Sequence, residues 1–238
     1  MNPKFATTNW SLVLAAGDGD SGRARHALED LCSAYWYPIY CLIRRQGYAP
    51  EEAADLTQGY LVQLLEKDYL GQVSPERGRF RSFLFASVKH FLSNERDRAR
   101  AAKRGGGRAP VSLDWAVAEG RYRVEPTEGL TPEKLFEKRW ATTVLDRTME
   151  QLRAEAARTG FEQRFERLKG YLTGEGPAPA YGEVGEDLGM TESAVAVAIH
   201  RLRKRFGQLL REEIAETVAD PGDVAGEIRY LLAVLGGE

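Results

Sequence analysis

Hydrophobic residues recur every three or four positions in nearly every patterned stretch of this 238-residue chain, and nowhere do they alternate convincingly as a half-buried strand requires. A chain with that period must pack helix on helix, so the expected fold class is all-α. Apolar residues make up 43% of it, enough for a packed core without disulfides.

Glycine and proline cut the pattern into segments. A short helix over 10–16 is expected to end at Gly17-Asp18-Gly19-Asp20. Ser21 can cap the next, which carries Ala24, Leu28, Leu31 and Tyr35. Pro38, inside an apolar-aromatic run, is expected to start or kink a helix that ends before Gly47. Pro50-Glu51-Glu52 opens another, with acids where the helix dipole favours them, and Ala53, Leu56, Tyr60 and Leu64 form its apolar face. Residues 69–79 read as a loop. From 80 to about 103 runs a long helix with Phe80, Phe83, Leu84, Ser87, Val88, Phe91 and Leu92 on one side.

Gly105-Gly106-Gly107 stops that helix, and the little periodicity that follows marks 105–131 as a flexible inter-domain linker. Thr131-Pro132-Glu133 is a capped helix start, and Phe136, Trp140, Val144, Met149 and Leu152 follow until Gly160. A second helix is expected over 161–172. The organisation read from these breaks is a helical domain over 1–104, the linker, a second helical domain over 132–216, and an acidic tail over 217–238.

Formal net charge is only −2, but its distribution is uneven. Residues 77–108 hold ten Lys and Arg against Glu95 and Asp97, a local +8. Residues 212–238 hold seven acids against Arg229 alone, a local −6. Most charge runs are merely solvated helix faces, yet a basic segment this lopsided is also the footprint of polyanion contact.

Residues 181–206 are the most informative stretch. A short helix over 181–188 meets Gly189, suited to a left-handed turn, and Thr191 caps a second helix. Val184 and Leu188 face Val195, Ile199, Leu202 and Phe206 in one small core. The opposite side presents Ser193, Ala196, Val197, His200, Arg201, Lys204 and Arg205. Small residues near the helix start would admit it to a major groove, and cations farther along would meet phosphates. This is a helix-turn-helix pattern, for which an ordinary helical hairpin with a basic tip is the plainer alternative.

In their order and spacing these segments resemble the extracytoplasmic-function group of sigma-70-type factors, over roughly 10–104 and 132–214. Residues 37–45 and 50–58 (Pro50-Glu-Glu-Ala-Ala-Asp-Leu-Thr-Gln58) resemble the family's segment that docks on the polymerase clamp. Residues 80–94 resemble the helix that reads and opens the −10 promoter element, and the back half resembles the −35-reading domain. The resemblance implies binding to RNA polymerase core through Asp55, Gln58, Leu61 and Gln63. For −10 recognition and melting it implies Arg77, Arg79, Phe80, Arg81, Lys89, His90, Asn94, Arg96 and Arg98. For −35 contact it implies Glu192, Ser193, Val197, His200, Arg201, Lys204 and Arg205.

In this picture the 69–79 loop and the start of the next helix trap a single-stranded base, while Arg100, Lys103 and Arg104 join Arg96 and Arg98 in holding duplex phosphates. Asp114, Glu119, Glu125 and Glu128 would give the linker RNA-like charge in the polymerase cleft. The implied partners are the polymerase core and promoter DNA, with room for an anti-sigma or other regulatory partner. The chain departs from the family at Gly59, where Glu is usual and where Gly costs roughly 1 kcal/mol of helix propensity. It departs also at His90, where Asn is common, and at Ala196 and Ala198, which are often basic or polar in relatives.

No catalytic constellation is present. His26, His90 and His200 are scattered, no Cys/His metal spacing exists, and Gly105-Gly-Gly lacks the Lys-Ser/Thr of a phosphate-cradling loop. No enzyme activity, cofactor or metal is expected. Cys32 and Cys41 fall on opposite helix faces and are expected to stay reduced. No apolar run approaches the ~20 residues of a membrane span, and the first twenty residues are too weakly patterned for a secretory signal. A cytoplasmic, nucleoid-associated protein is therefore expected.

Two other functions fit part of the chain. A stand-alone helix-turn-helix regulator leaves the basic front segment idle. A polymerase- or partner-binding adaptor with weakened promoter recognition draws support from Gly59, Ala196 and Ala198. Finally, Val224, Ile228, Leu231, Leu232 and Leu235 form an apolar stripe that must be buried. It is expected either to pack on the second domain or to mask a DNA- or polymerase-binding surface.

Overall fold

A computed structural model describes residues 22–65, 80–101, 115–124, 129–174, 179–215, 218 and 221–236, and every regular element among them is helical. In chain order these are α1 (Gly22–Arg45), α2 (Pro50–Leu65), α3 (Phe80–Ala101), α4 (Trp115–Val124) and α5 (Pro132–Arg158). Then come α6 (Glu162–Leu168), α7 (Gly170–Thr173), α8 (Tyr181–Leu188), α9 (Glu192–Ala215), a 3-10 turn (Pro221–Asp223) and α10 (Val224–Gly236). None of these helices is long and apolar enough to cross a membrane. The chain forms two compact units, one of Met1–Thr143 with Ile214–Glu238 and the other of Val144–Glu213. The division thus falls within α5 and near the end of α9, and not in the glycine-rich span 105–131.

In the first unit, α1 runs unbroken through Pro38, where a helix start or kink was expected. The proline removes one backbone hydrogen bond. Burial outweighs that loss, because Tyr35, Tyr37, Ile39, Tyr40, Cys41, Leu42 and Ile43 all lie in the core. Pairing with them are Ala53, Tyr60, Leu61 and Leu64 of α2 and Leu84, Val88, Phe91 and Leu92 of α3, also buried. The Tyr60 ring meets Phe91 edge-on at 5.6 Å. Its hydroxyl hydrogen-bonds Ser87, so neither buried polar group is left without a partner.

The helix α4 corrects the reading of 105–131 as a structureless linker. Trp115 packs against Trp36 at 5.7 Å and Tyr40 at 5.6 Å, both on α1. Glu119 accepts hydrogen bonds from the Tyr40 hydroxyl at 2.6 Å and from both Nε and Nη2 of Arg44 at 3.0 Å. Arg123 Nε adds a fourth bond, from a third residue, at 2.9 Å. Burial alone would raise the Glu119 carboxyl, but these donors together hold it down to about 2. Burial first, and then the bond to Glu119, pushes the Tyr40 hydroxyl far above the usual phenol range.

Helix α10 also belongs to the first unit, with Glu227 and Leu231 buried.

The second unit begins partway along α5, whose start is capped as expected: the Lys134 amide donates to Thr131 Oγ1 at 3.2 Å. The helix expected over 161–172 is split at Lys169 into α6 and α7. Phe161 is exposed rather than in line with Phe165 and Leu168. Two small cores form here. One joins Leu168, Tyr171, Val184, Val195, Ala198 and Ile199, and the other joins Leu152, Phe165 and Leu209, with Phe206 packed beside it.

Candidate functional site

Each unit carries one exposed helix face that bears the residues singled out from the sequence. In the first unit this is the outer side of α3. Lys89, His90, Asn94, Arg96 and Arg98 are all exposed there. His90, Asn94 and Arg98 are four residues apart and Lys89 and Arg96 seven, which sets them in two adjoining rows along the helix. Several are steadied by neighbours. Arg96 Nε donates to the Tyr48 hydroxyl at 2.7 Å, and its guanidinium lies 5.3 Å from that ring's centroid. Arg98 pairs with Glu95 at 2.7 Å, Lys89 sits 5.3 Å from the Phe85 ring, and Asn94 is 3.2 Å from His90 Nδ1.

Arg81 does not join this exposed face, which corrects its expectation as an accessible contact. It is 5% exposed and ion-paired with Glu227, itself 1% exposed. Its guanidinium lies 4.6 Å from the ring centroids of both Trp140 and Tyr230. The reason is periodic: Arg81 precedes Leu84 by three residues and Val88 by seven, so it falls on the buried stripe. Arg77, Arg79, Lys103 and Arg104, and the side chains of Phe80 and Arg100, lie outside the described residues.

Of the expected polymerase contacts, Asp55 is exposed and Gln58 and Gln63 are half-buried. Leu61 is a correction, since it is buried in the α1–α2–α3 core and cannot face a partner. Gly59 lies beside α3, where a β-carbon would meet Phe91 at an ordinary 3.5 Å.

In the second unit the site is built on the turn between α8 and α9. Gly189 takes φ +63°, the left-handed conformation that favours glycine. Gly185 is required for a different reason: a β-carbon there would stand 2.6 Å from the Met190 carbonyl oxygen. The Met190 amide donates to the Gly185 carbonyl at 2.8 Å, which fixes that close approach. Thr191 Oγ1 then caps α9 by accepting from the Ala194 amide at 3.2 Å.

So anchored, α9 exposes Glu192, Ser193, His200, Arg201 and Lys204, with Val197 at 50% exposure among them. Arg205 is committed elsewhere, a correction to its expected phosphate contact. Its guanidinium donates to Glu155 at 2.5 and 2.8 Å and lies 3.5 Å from Glu212. That bond lowers the Glu155 carboxyl and raises Arg205 further. Ala198, read as a departure on the DNA side, is buried against Val195 and Ile199, so its small size serves packing.

Sequence reasoning missed Gly185, Tyr48 and Glu227, and it gave Glu119 to the RNA-like charge of a linker, whereas Glu119 is held by Tyr40, Arg44 and Arg123. Only Gly185 had a local signal, being a glycine inside a short helix. The others act through contacts distant in sequence. Among the described residues no group of three or more His, Cys, Asp or Glu could hold a metal ion. Comparison with protein-family models, with curated proteins and with solved structures finds no match.

Proposed function

We propose that this chain is a promoter-recognition subunit of bacterial RNA polymerase, in which α8 and α9 form a helix-turn-helix that reads duplex DNA in the −35 region. The outer face of α3 engages the −10 region. The observation that carries this reading is the exposed side of α9. Ser193 and Val197 stand near its start, where a major groove admits small side chains, and a valine methyl suits a thymine methyl. His200, Arg201 and Lys204 follow at helical spacing, where they meet phosphates.

The α3 face supplies a second, separate set of donors: Lys89, His90, Asn94, Arg96 and Arg98. Opening a promoter breaks stacking worth roughly 1.4 kcal/mol per base-pair step. Cations and stacking partners that hold the separated strand offset that cost. The work is done by binding, and no covalent step is required of the protein.

A stand-alone helix-turn-helix regulator is the second reading. What favours it is α4, which covers Tyr40 and Arg44 within the segment that resembles the family's polymerase-docking region. Stable co-purification with core polymerase separates the two. The direct test is transcription from a genomic fragment library by a verified core polymerase plus this chain. Discrete start sites that depend on the chain are expected, and their absence refutes the proposal.

A further inference from the structure

The start of α3 holds a buried arginine in surroundings that resemble a bound nucleotide. Arg81 meets one carboxylate, from Glu227, and lies 4.6 Å from one ring, from Tyr230. Both come from α10 and are one helical turn apart, so they arrive and leave together. An anion and a flat ring presented jointly to a guanidinium are the two chemistries that a phosphate and a base present. On the other side, Trp140 of α5 also stands 4.6 Å from Arg81, and it would remain.

From this arrangement we infer that Arg81 and Trp140 form a binding site for single-stranded nucleic acid, and that α10 occupies it as an internal nucleotide mimic. The inference rests on the reading of α3 as a nucleic-acid face. It adds a second site, buried at the start of α3, and names what competes for it.

Three further features fit. The site adjoins a cavity of about 60 Å³ lined by Ser82, Phe85, Phe136, Glu133 and Glu137 beside Arg81. Its aromatic members suit a base, while its two glutamates repel phosphate and leave Arg81 as the place for the anion. Tyr230 hydrogen-bonds Glu137, so α10 is tied to this wall by a polar contact. The apolar stripe of α10 is only partly covered, with Leu232 exposed, as befits an element that must be released.

The test uses the full chain and a fluorescein-labelled single-stranded oligonucleotide read by anisotropy. Glu227→Gln keeps the shape of the side chain and removes its charge. It is expected to tighten binding at least five-fold. Adding Arg81→Gln to that variant is expected to abolish the gain. An unchanged affinity in Glu227→Gln, or a gain that survives Arg81→Gln, overturns the inference.

A second measurement needs no variant and so does not depend on the mutants folding. Saturating oligonucleotide should raise amide hydrogen exchange across 224–236 at least five-fold, and undiminished protection there overturns the inference. Lys89→Gln with Arg96→Gln separates this from the reading beneath it. If that pair weakens binding while Glu227→Gln does nothing, the mimic falls and the α3 face stands. If the oligonucleotide binds no form of the chain, both fall.

Discussion

The front and rear faces differ in how charge relates to presentation. The front segment, 77–108, carries ten cations and a local +8. Yet Arg81 is buried on Glu227, Arg98 is paired with Glu95, and Arg96 leans on Tyr48. The rear helix has fewer cations, but five of its seven expected contacts are exposed and Val197 is half-exposed; Arg205 is held by Glu155, and Ser193 meets only the Thr191 hydroxyl of its own helix start. Counting cations ranks the front face first. Geometry makes the rear face the better-presented surface, because a charge acts on a partner only where it is not already neutralised by its own fold.

The largest effect that can break this comparison is expected at Gly185. Gly185→Val drives a side chain into the Met190 carbonyl, and overpacking of this kind costs about 2–3 kcal/mol. Duplex binding by the rear face should be lost while single-strand binding by α3 survives. Thermal unfolding and anisotropy with the two DNA forms check this, and an unchanged melting temperature would show that the turn is not the anchor.

Next in size is Glu119, which sharpens the front half of the comparison. Glu119→Gln removes a charged acceptor shared by Tyr40, Arg44 and Arg123, a loss of about 2 kcal/mol. Nucleic-acid affinity should not change, since α4 is not part of the α3 face. The pH dependence has a definite sign. This carboxyl, ordinarily near 4.5, is held down to about 2 in the folded chain. Its stabilisation is therefore complete above about 4.5 and is lost as pH falls from there towards 2. Acid unfolding of Glu119→Gln should lack that component.

A smaller effect distinguishes neighbours on α9. Arg201→Gln and Lys204→Gln should each weaken duplex binding by about 1 kcal/mol and make the slope of log affinity against log salt shallower by about one. Arg205→Gln should leave that slope unchanged, since its guanidinium is held by Glu155. Equal slopes for all three would erase the distinction drawn from the geometry.

The smallest effect is at Gly59. A β-carbon fits there at an ordinary 3.5 Å from Phe91, so Gly59→Ala should stabilise the first unit by about 1 kcal/mol. Chemical denaturation reads this directly, and a loss of stability would mean that the glycine is needed for packing.

What could be read from the sequence was what local chemistry decides. The caps at Thr131 and Thr191, the left-handed turn at Gly189 and the apolar stripe of α3 all depend on residues within a few positions of one another. Arg81 was also within reach, since its register with Leu84 and Val88 marks it as inward-facing; charge was given more weight than period. By contrast, α4 was hidden. Its stability comes from Trp36, Tyr40 and Arg44, more than seventy residues earlier, and Gly120 interrupts its own pattern. The position of α10 was hidden likewise, because an apolar stripe says that a helix must be covered but not by what.

The most direct measurement of the central claim is permanganate footprinting of a promoter bound by core polymerase plus this chain. The account predicts reactive, unpaired thymines in the −10 region together with upstream duplex protection that disappears in the Gly185→Val chain. A stable complex with no reactive thymine, or with upstream protection that does not depend on the α8–α9 turn, would contradict it.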